Sequence, residues 1–98
     1  MTDGQEYLVR IDVAIPPTMP AEELARLMDA ERAYGRELRG AGTIRHIWRL
    51  PGGLRNVAIW SARDATKLHE ALASLPTYRY CTIEVQALAR HPLDEAPA

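Results

Sequence analysis

The segment TIRHIWRLPGGLRNVAIWSA, residues 43–62, decides the fold. TIRHIWRL and NVAIWSA read as two strands. The letters PGG between them are typical of a turn, so the two strands form a hairpin. In the first strand, alternation sends Ile44, His46, Trp48 and Leu50 to one face, and Thr43, Arg45, Ile47 and Arg49 to the other. The polar side chains of RHIWR therefore cannot all face one ligand unless a bulge intervenes.

A helix and a further strand flank the hairpin on each side. YLVRIDVAI, residues 7–15, alternates as a first strand, and the prolines of PPTMP end it because they donate no backbone hydrogen bond. Thr18 is positioned to cap a helix that we predict from Ala21 to Arg39, with its end at Gly40 or Gly42. CTIEVQAL, residues 81–88, reads as the last strand.

The second helix follows the hairpin. Asp64 is positioned to cap it, and its predicted buried stripe is Ala65, Leu68, Ala71, Leu72 and Leu75. The order β-α-β-β-α-β predicts an α+β, ferredoxin-like fold, an antiparallel sheet with both helices on one face. We expect Trp60, Ala58 and Trp48 to give the other face apolar cover, so that sheets or subunits pack together and leave a pocket between sheet and helix.

Composition limits the class of protein. The 98 residues make one domain, with a core of about residues 6–90 and a C-terminal tail at 91–98 that needs a partner to be ordered. A net charge of -1 lacks the positive excess of a nucleic-acid binder, although Arg45, His46, Arg49 and Arg55 form a local basic cluster. A single cysteine and the absence of a signal peptide or membrane-spanning segment indicate a cytoplasmic protein.

Glu31 is the sharpest candidate for chemistry. At helical spacing it falls in the middle of the apolar stripe formed by Leu24, Leu27, Met28, Gly35 and Leu38. A long glutamate at this position can simply reach the solvent. Alternatively, burial among few polar groups raises a carboxyl pKa and makes the acid a useful general base near neutral pH. Gly35, one turn further along, leaves space beside it.

Other polar residues have open roles on sequence grounds. Arg45, His46 and Arg49 suit an anionic ligand, or are solvated, paired or core residues; His69 is a pocket donor or a surface residue. Tyr34, Tyr78 and Tyr80 could donate to a developing oxyanion, and Cys81 reads as a small buried hydrophobe. The chain has no metal-ligand spacing, phosphate loop or Ser/His/Asp order, so any chemistry is cofactor-free proton transfer, and simple binding is the alternative.

The chain resembles the muconolactone delta-isomerase family. The resemblance lies in the Glu31 helix, GTIRHIWRLPG, Asn56, KLHEALASLP, Tyr80 and LARHP, and it covers Tyr7 to Pro92. It implies a ferredoxin-like subunit in a homo-oligomer, a decamer built from dimers with an α+β barrel-type assembly. It also implies cofactor-free isomerisation of a small anionic lactone, muconolactone, to the 3-oxoadipate enol-lactone in the β-ketoadipate pathway of aromatic compound catabolism.

The same resemblance implies roles for residues. Glu31 would be the catalytic proton carrier, and the substrate would be bound by Arg45, His46, Trp48, Arg49, Asn56, His69 and Tyr80. Only one face of the Arg45–Arg49 strand can hold the substrate carboxylate, and the residues leave open which one.

The sequence also departs from the family pattern. Thr77, Arg79 and Cys81 stand where the family tends to have Leu, Pro and Met, and Trp60 replaces a usual Phe. These changes leave other substrates open, such as a substituted lactone or an unrelated carbonyl compound. Two further alternatives are another enzyme on this scaffold, a dehalogenase or cofactor-independent oxygenase, and a non-enzymatic ligand-binding subunit in which Glu31 pairs with an arginine.

Overall fold

The computed structural model describes residues 4–94. Its main elements are β1 (Gln5–Val13), α1 (Ala21–Gly40), β2 (Ile44–Leu50), β3 (Arg55–Ala62), α2 (Ala65–Ala73) and β4 (Cys81–Leu88). Short 3-10 turns cover Tyr78–Tyr80 and Pro92–Asp94. The strands form one antiparallel sheet in the order β2-β3-β1-β4. The predicted βαββαβ fold is confirmed, although β1 begins earlier than predicted and ends before Ile15.

The core lies between the helices and one face of the sheet, called here the covered face. Its largest fully buried side chain is Trp60, at 1% exposure, and Ala58 beside it is also buried. The prediction that these two residues cover the other face, the open face, was therefore wrong. Trp60 pairs with the buried Tyr7 of β1, and Ala58 pairs with the buried Val9. Directly paired residues on neighbouring strands point to the same side of a sheet. Strand alternation separates two faces but does not say which one receives the helices.

A bulge in β2 changes which residues share a face. Ile44 pairs with Trp60, but His46 pairs with Ile59, so the register shifts by one between them. The predicted grouping of Ile44 with His46 is therefore wrong. Ile44 is buried on the covered face, and Ile47 and Arg49 follow it there. His46, Trp48 and Leu50 lie on the open face.

The helix ends follow local sequence with one exception. Asp64 caps α2 as predicted, because its carboxylate accepts a hydrogen bond from the Lys67 amide at 2.9 Å. At the end of α1, Gly42 has a φ of 79°, and the Thr43 amide donates to the Leu38 carbonyl at 2.9 Å. The prediction of a Thr18 cap was wrong: Pro20 is the cap residue, and no side chain bonds to that helix end.

The predicted stripe of α2 is only partly buried. Leu68 and Leu72 are buried, and Leu75 is buried in the turn that follows the helix, whereas Ala65 is exposed. Of the predicted tail, residues 91–94 are described, with Leu93 88% exposed, and residues 95–98 lie outside the described part of the chain. No helix between residues 4 and 94 has the length and apolar character needed to cross a membrane.

Candidate active site

Glu31 lies on α1 with its side chain half-buried. The predicted stripe around it is buried at Leu38 and only half-buried at Leu24, Leu27 and Met28. Its Oε1 accepts a hydrogen bond from the backbone amide of Thr77 at 3.1 Å. Among the ion pairs of residues 4–94, none includes Glu31. The described structure thus gives Glu31 a backbone donor rather than the arginine partner expected of a purely structural acid.

Space is available next to Glu31 on the same helix. A Cβ atom built on Gly35 meets nothing within 4 Å, so a larger residue would fit here without a steric clash. Gly in a helix interior lowers helix stability by about 1 kcal/mol relative to Ala, so access for another molecule is one reason to keep it. Tyr34, adjacent in sequence, donates its hydroxyl proton to the Ala71 carbonyl at 2.9 Å and so ties α1 to α2.

The turn after α2 places the donor for Glu31. Leu75 is buried and accepts from the Tyr78 amide at 2.9 Å, which turns the chain at Pro76 and Thr77. Thr77 is fully buried, and its carbonyl accepts from the Tyr80 amide at 2.8 Å. The segment then enters β4 at Cys81. The amide of Thr77 is thereby held facing α1, where Glu31 accepts its hydrogen bond.

Cys81 lies next to this carboxylate. Burial raises the pKa of the Cys81 thiol above its ordinary value of 9.0, and the negative charges of Glu31 and Asp12 raise it further. A hydrogen bond from Thr77 acts in the opposite direction on the same pKa. The thiol is consequently a protonated group near neutral pH, and hydrogen bonds link it to Glu31 through Thr77, which contacts both side chains.

Arg49 and Asn56 lie on the covered face at the same end of the sheet. Arg49 pairs with Asn56, and Asn56 pairs with the buried Ile11. Two residues beyond Ile11, Val13 pairs with Cys81, so this row of side chains adjoins the row that ends at Cys81, which is hydrogen-bonded to Thr77. The Oδ1 of Asn56 is buried without a hydrogen-bond partner, and Arg49 makes no ion pair within residues 4–94. Asn56 thus has an acceptor atom without a donor, and Arg49 has a charge without an acidic partner, in the described structure.

Within this chain, the structure does not bring Arg45, His46 or Trp48 to Glu31. Arg45 forms an exposed ion pair with Glu6 at 3.6 Å. The rings of His46 and Trp48 stack with centroids 5.9 Å apart on the open face, where Trp48 is 54% exposed. The bulge therefore separates the Arg-His-x-Trp-Arg motif, and it leaves Arg49 as the member that shares a face with the acid.

The positions of His69 and Tyr80 neither support nor exclude a contact with a ligand at Glu31. His69 is exposed on α2. Tyr80 is half-buried, and the guanidinium of Arg79 lies 5.5 Å from its ring centre. Tyr80 directly precedes Cys81, and it lies closer in sequence than His69 to Thr77, whose amide donates to Glu31.

Neither of two cavities in the described structure is the expected pocket between sheet and helix. One cavity of about 280 Å³ is lined by Gly42, Thr43, Arg45 and Ser61, at the far end of the sheet. Another, of about 310 Å³, lies against Leu8, Arg10, Val57 and Glu84. Neither is lined by Glu31. Within residues 4–94, no group of three or more His, Cys, Asp or Glu side chains is arranged to hold a metal ion.

Sequence reasoning missed Thr77 as the partner of Glu31. Its donor is a backbone amide, which every residue except proline carries, so no residue type identifies it. A polar residue between Pro76 and the fourth strand was the available indication, because a buried threonine needs hydrogen-bond partners. Cys81 was predicted to be a small buried hydrophobe, and in the structure it is half-buried and hydrogen-bonded to Thr77.

Comparison with known proteins gives a consistent result. Residues 5–94 match the family model described as muconolactone delta-isomerase. The chain is 42% identical over 86 residues to a muconolactone delta-isomerase from Acinetobacter baylyi, with 88% of this chain and 90% of that protein covered. A relative of the same name from Rhodococcus opacus is 37% identical over 88 residues, covering 90% and 95% of the two chains. A crystal structure of muconolactone isomerase superposes with a TM-score of 0.87 at 30% identity, covering 95% and 97%.

Proposed function

The chain belongs to the muconolactone delta-isomerase family, and we propose that it converts muconolactone to the 3-oxoadipate enol-lactone with Glu31 as the proton carrier. The reaction moves a carbon-carbon double bond within a five-membered lactone. A base removes a proton from one ring carbon and a proton is returned to another, with negative charge held on the carbonyl oxygen between the two steps. One carboxylate can perform both transfers without a cofactor.

The state of Glu31 is the observation that carries this proposal. Its Oε1 accepts the Thr77 amide, whereas Oε2 accepts no hydrogen bond from residues 4–94 and can face a substrate. The side chain is half-buried, it has no cationic partner in the described structure, and open space adjoins it at Gly35. A carboxylate held at one oxygen and open at the other is suited to shuttle a proton over a short distance.

Arg49 and Asn56 are proposed to bind and polarise the substrate. Muconolactone carries its own carboxylate, which Glu31 repels, so binding needs a cation that is not already neutralised. Arg49 has no acidic partner in the described structure and shares the covered face with Glu31. The amide of Asn56 and the hydroxyl of Tyr80 are candidate donors to the oxyanion, with His69 a further candidate on α2.

His46 and Trp48 keep a substrate role only if another subunit supplies them. They point away from Glu31 in their own subunit, and a small lactone cannot contact both faces of one sheet. A homo-oligomer, proposed as a decamer built from dimers, would bring the open face of one subunit to a second copy. The exposed Trp48 and the half-buried Leu8, Val57 and Ile59 supply apolar surface for such contacts. The proposed location is the cytoplasm, where a free Cys81 stays reduced.

A substitution at Glu31 tests the reaction. Glu31→Gln preserves the shape of the side chain and removes its basicity, so turnover of muconolactone, followed by enol-lactone absorbance without added cofactor, should fall by about three orders of magnitude or more. Glu37→Gln changes an exposed acid on the same helix and is the matched control. Near-normal turnover by Glu31→Gln contradicts the assignment, and no turnover by the wild-type protein contradicts the proposed reaction.

The oligomer is tested separately. Sedimentation velocity measures the assembly size of the wild-type protein. Glu31→Gln and His46→Ala, each impaired alone, should recover activity when co-expressed, because mixed oligomers then contain sites with intact Glu31 and intact His46. Absence of recovery in mixed oligomers of verified composition removes His46 from the substrate site.

A further inference from the structure

Thr77 is the one polar residue with a fully buried side chain in the described part of the chain. Buried polar groups in folded proteins are nearly always hydrogen-bonded, and Thr77 uses all three of its groups. Its amide donates to Glu31 at 3.1 Å, its carbonyl accepts from the Cys81 thiol at 3.2 Å, and its hydroxyl lies 3.4 Å from the Cys81 Sγ. Thr77 and Cys81 are thus joined by two hydrogen bonds, one at the Thr77 carbonyl and one at its hydroxyl.

The directions of these two bonds follow from the number of protons. A thiol has one proton, and the bond to the Thr77 carbonyl uses it. The Thr77 hydroxyl must then donate its own proton to the Sγ lone pair at 3.4 Å. The resulting ring joins the side chain and carbonyl of Thr77 to a residue that begins β4, whose backbone is fixed by pairing with Val13. The ring therefore anchors a turn residue to the sheet.

The anchored residue is the one that orients the acid. A glutamate side chain has three rotatable bonds, and a general base loses much of its effect when it is displaced by about 1 Å. The Thr77 amide restrains Oε1 of Glu31, but the amide itself sits in a turn outside regular secondary structure. We propose that the Thr77–Cys81 pair acts as a positioning device, which holds the Thr77 amide in place so that Glu31 presents its other oxygen to the substrate.

This inference rests on the proposed function, since it assigns Thr77 and Cys81 to the proton carrier of that reaction. Neither side chain is proposed to touch the substrate. A purely structural role for the pair would lower stability and leave the rate per folded molecule unchanged. A positioning role lowers kcat with little change in KM, because substrate binding depends on other groups.

Paired substitutions separate the hydroxyl and thiol from their packing. Thr77→Val is nearly isosteric and loses only the hydroxyl, and its kcat should fall by about tenfold to a hundredfold with KM unchanged. Thr77→Ser keeps the hydroxyl and should restore kcat to within about threefold of wild type. Cys81→Ser retains both bonds and Cys81→Ala neither, so only the second should lose kcat. Thr66→Val, on the exposed surface of α2, is the matched control.

Coupling to Glu31 provides a readout that does not depend on activity. Unfolding free energies are measured for Thr77→Val and Glu31→Gln, alone and together. The pair should be non-additive, whereas Thr66→Val and Glu31→Gln should be additive. The same measurements show whether each variant is folded under the assay conditions, so a loss of kcat can be assigned to folded enzyme.

The outcomes distinguish the two proposals. If Glu31→Gln is inactive while Thr77→Val keeps kcat within about twofold of wild type, the positioning device is overturned and the proposed function stands. If Thr77→Ser loses as much kcat as Thr77→Val, the hydroxyl is not the cause and the device is also overturned. Near-normal activity of Glu31→Gln overturns the proposed function itself.

Discussion

The arginines on the two faces of the sheet have different neighbours. On the open face, cross-strand register sets Arg10 opposite Glu84 and Arg55 opposite Asp12, and Arg45 contacts Glu6 at 3.6 Å. Each of these cations thus has an acid as its neighbour in the sheet, although, among the described residues, only Arg45 forms an ion pair with it. On the covered face, Arg49 is set opposite the neutral Asn56 and has no acidic partner in the described structure.

This difference teaches where an anion would bind. A cation with a neighbouring carboxylate is already partly neutralised and gains little from a second one, whereas an uncompensated cation attracts an anionic ligand. The same contrast extends to hydrogen bonding, since the buried Oδ1 of Asn56 has no partner within residues 4–94. In the described part of the chain, Arg49 without an acidic partner and Asn56 with an unbonded oxygen therefore lie on the face of the sheet that α1, the helix of Glu31, covers.

Among the tests of this contrast between the faces, the largest effect is expected for the two arginines of the Arg-His-x-Trp-Arg motif. Arg49→Met keeps most of the aliphatic stem and removes the charge, so the KM for muconolactone should rise by about 10-fold to 100-fold, the range of a lost charge-assisted hydrogen bond. Arg45→Met removes an exposed, compensated cation and should change KM by less than about threefold, since such ion pairs contribute little. Steady-state kinetics of both variants measures the difference.

Reversal of that order would break the comparison between the faces. A large KM effect for Arg45→Met alone would mean that the open face binds the carboxylate, with Glu31 contributed by a neighbouring subunit. Equal effects of the two variants would contradict the assignment of a single carboxylate-binding face.

The second prediction concerns the unpartnered oxygen of Asn56. Leaving a buried polar group without a hydrogen bond lowers stability by about 1 to 3 kcal/mol, so Asn56→Leu should raise the free energy of unfolding by about 1 kcal/mol. It should also lower kcat/KM, because the amide donor is lost. Urea denaturation and steady-state kinetics check the two parts. Gln86→Leu, at an exposed position on β4, is the control without a stability gain. A less stable Asn56→Leu would show that the oxygen is satisfied in solution.

Particular residues show what the sequence could predict. Alternation and turn residues were enough for the order of elements, and Asp64 and Gly42 were enough for two helix ends. The bulge between Ile44 and His46 was not predictable, because a one-residue shift in register leaves no mark in the hydrophobic pattern of a short strand. The face of Trp60 was mispredicted for a related reason, since its strand alternates equally well with either face inward.

The site follows the same division. Glu31 was identifiable because an acid within an apolar helical stripe breaks a pattern. Arg49 could be named but not separated from Arg45 until the bulge was known. The Thr77 amide could not be named, because its role comes from a tertiary contact across 46 positions in the chain. The roles of these residues in catalysis remain predictions for the experiments given above.

The third prediction uses the open space at Gly35. Gly35→Ala should raise the free energy of unfolding by about 1 kcal/mol, because alanine is the better helix former and its Cβ meets nothing within 4 Å. If substrate occupies that space, kcat/KM falls at the same time. Gly40→Ala, at the other end of the helix and equally free of contacts, tests helix propensity without the site. Unchanged kcat/KM in a stabilised Gly35→Ala would remove Gly35 from the substrate site.

The smallest expected effect is a pH dependence that reports the neighbourhood of Glu31. The pKa of Cys81 is raised in the native state, chiefly by burial, so the native protein holds the thiol proton to higher pH than the unfolded chain does. The resulting stabilisation is fully present below the ordinary pKa of 9.0 and is lost as pH rises through the raised value. As pH rises above 9.0, the free energy of unfolding should therefore decline more steeply in the wild-type protein than in Cys81→Ser.

Ultraviolet absorbance of the thiolate measures the same group directly and separates its neighbours. Thr77→Val should raise the pKa of Cys81, because the hydrogen bond from Thr77 lowers it. Glu31→Gln should lower that pKa by removing a nearby negative charge, and Asp12→Asn should lower it less, in keeping with the smaller influence of Asp12. A Cys81 titration that does not respond to Glu31→Gln would mean that the acid of the covered face points away from Thr77 and Cys81 in solution. The contact that links Glu31 to its buried turn would then be lost, whereas the contrast between Arg49 and Arg45 would stand, since it depends on strand register and on the ion pair of Arg45.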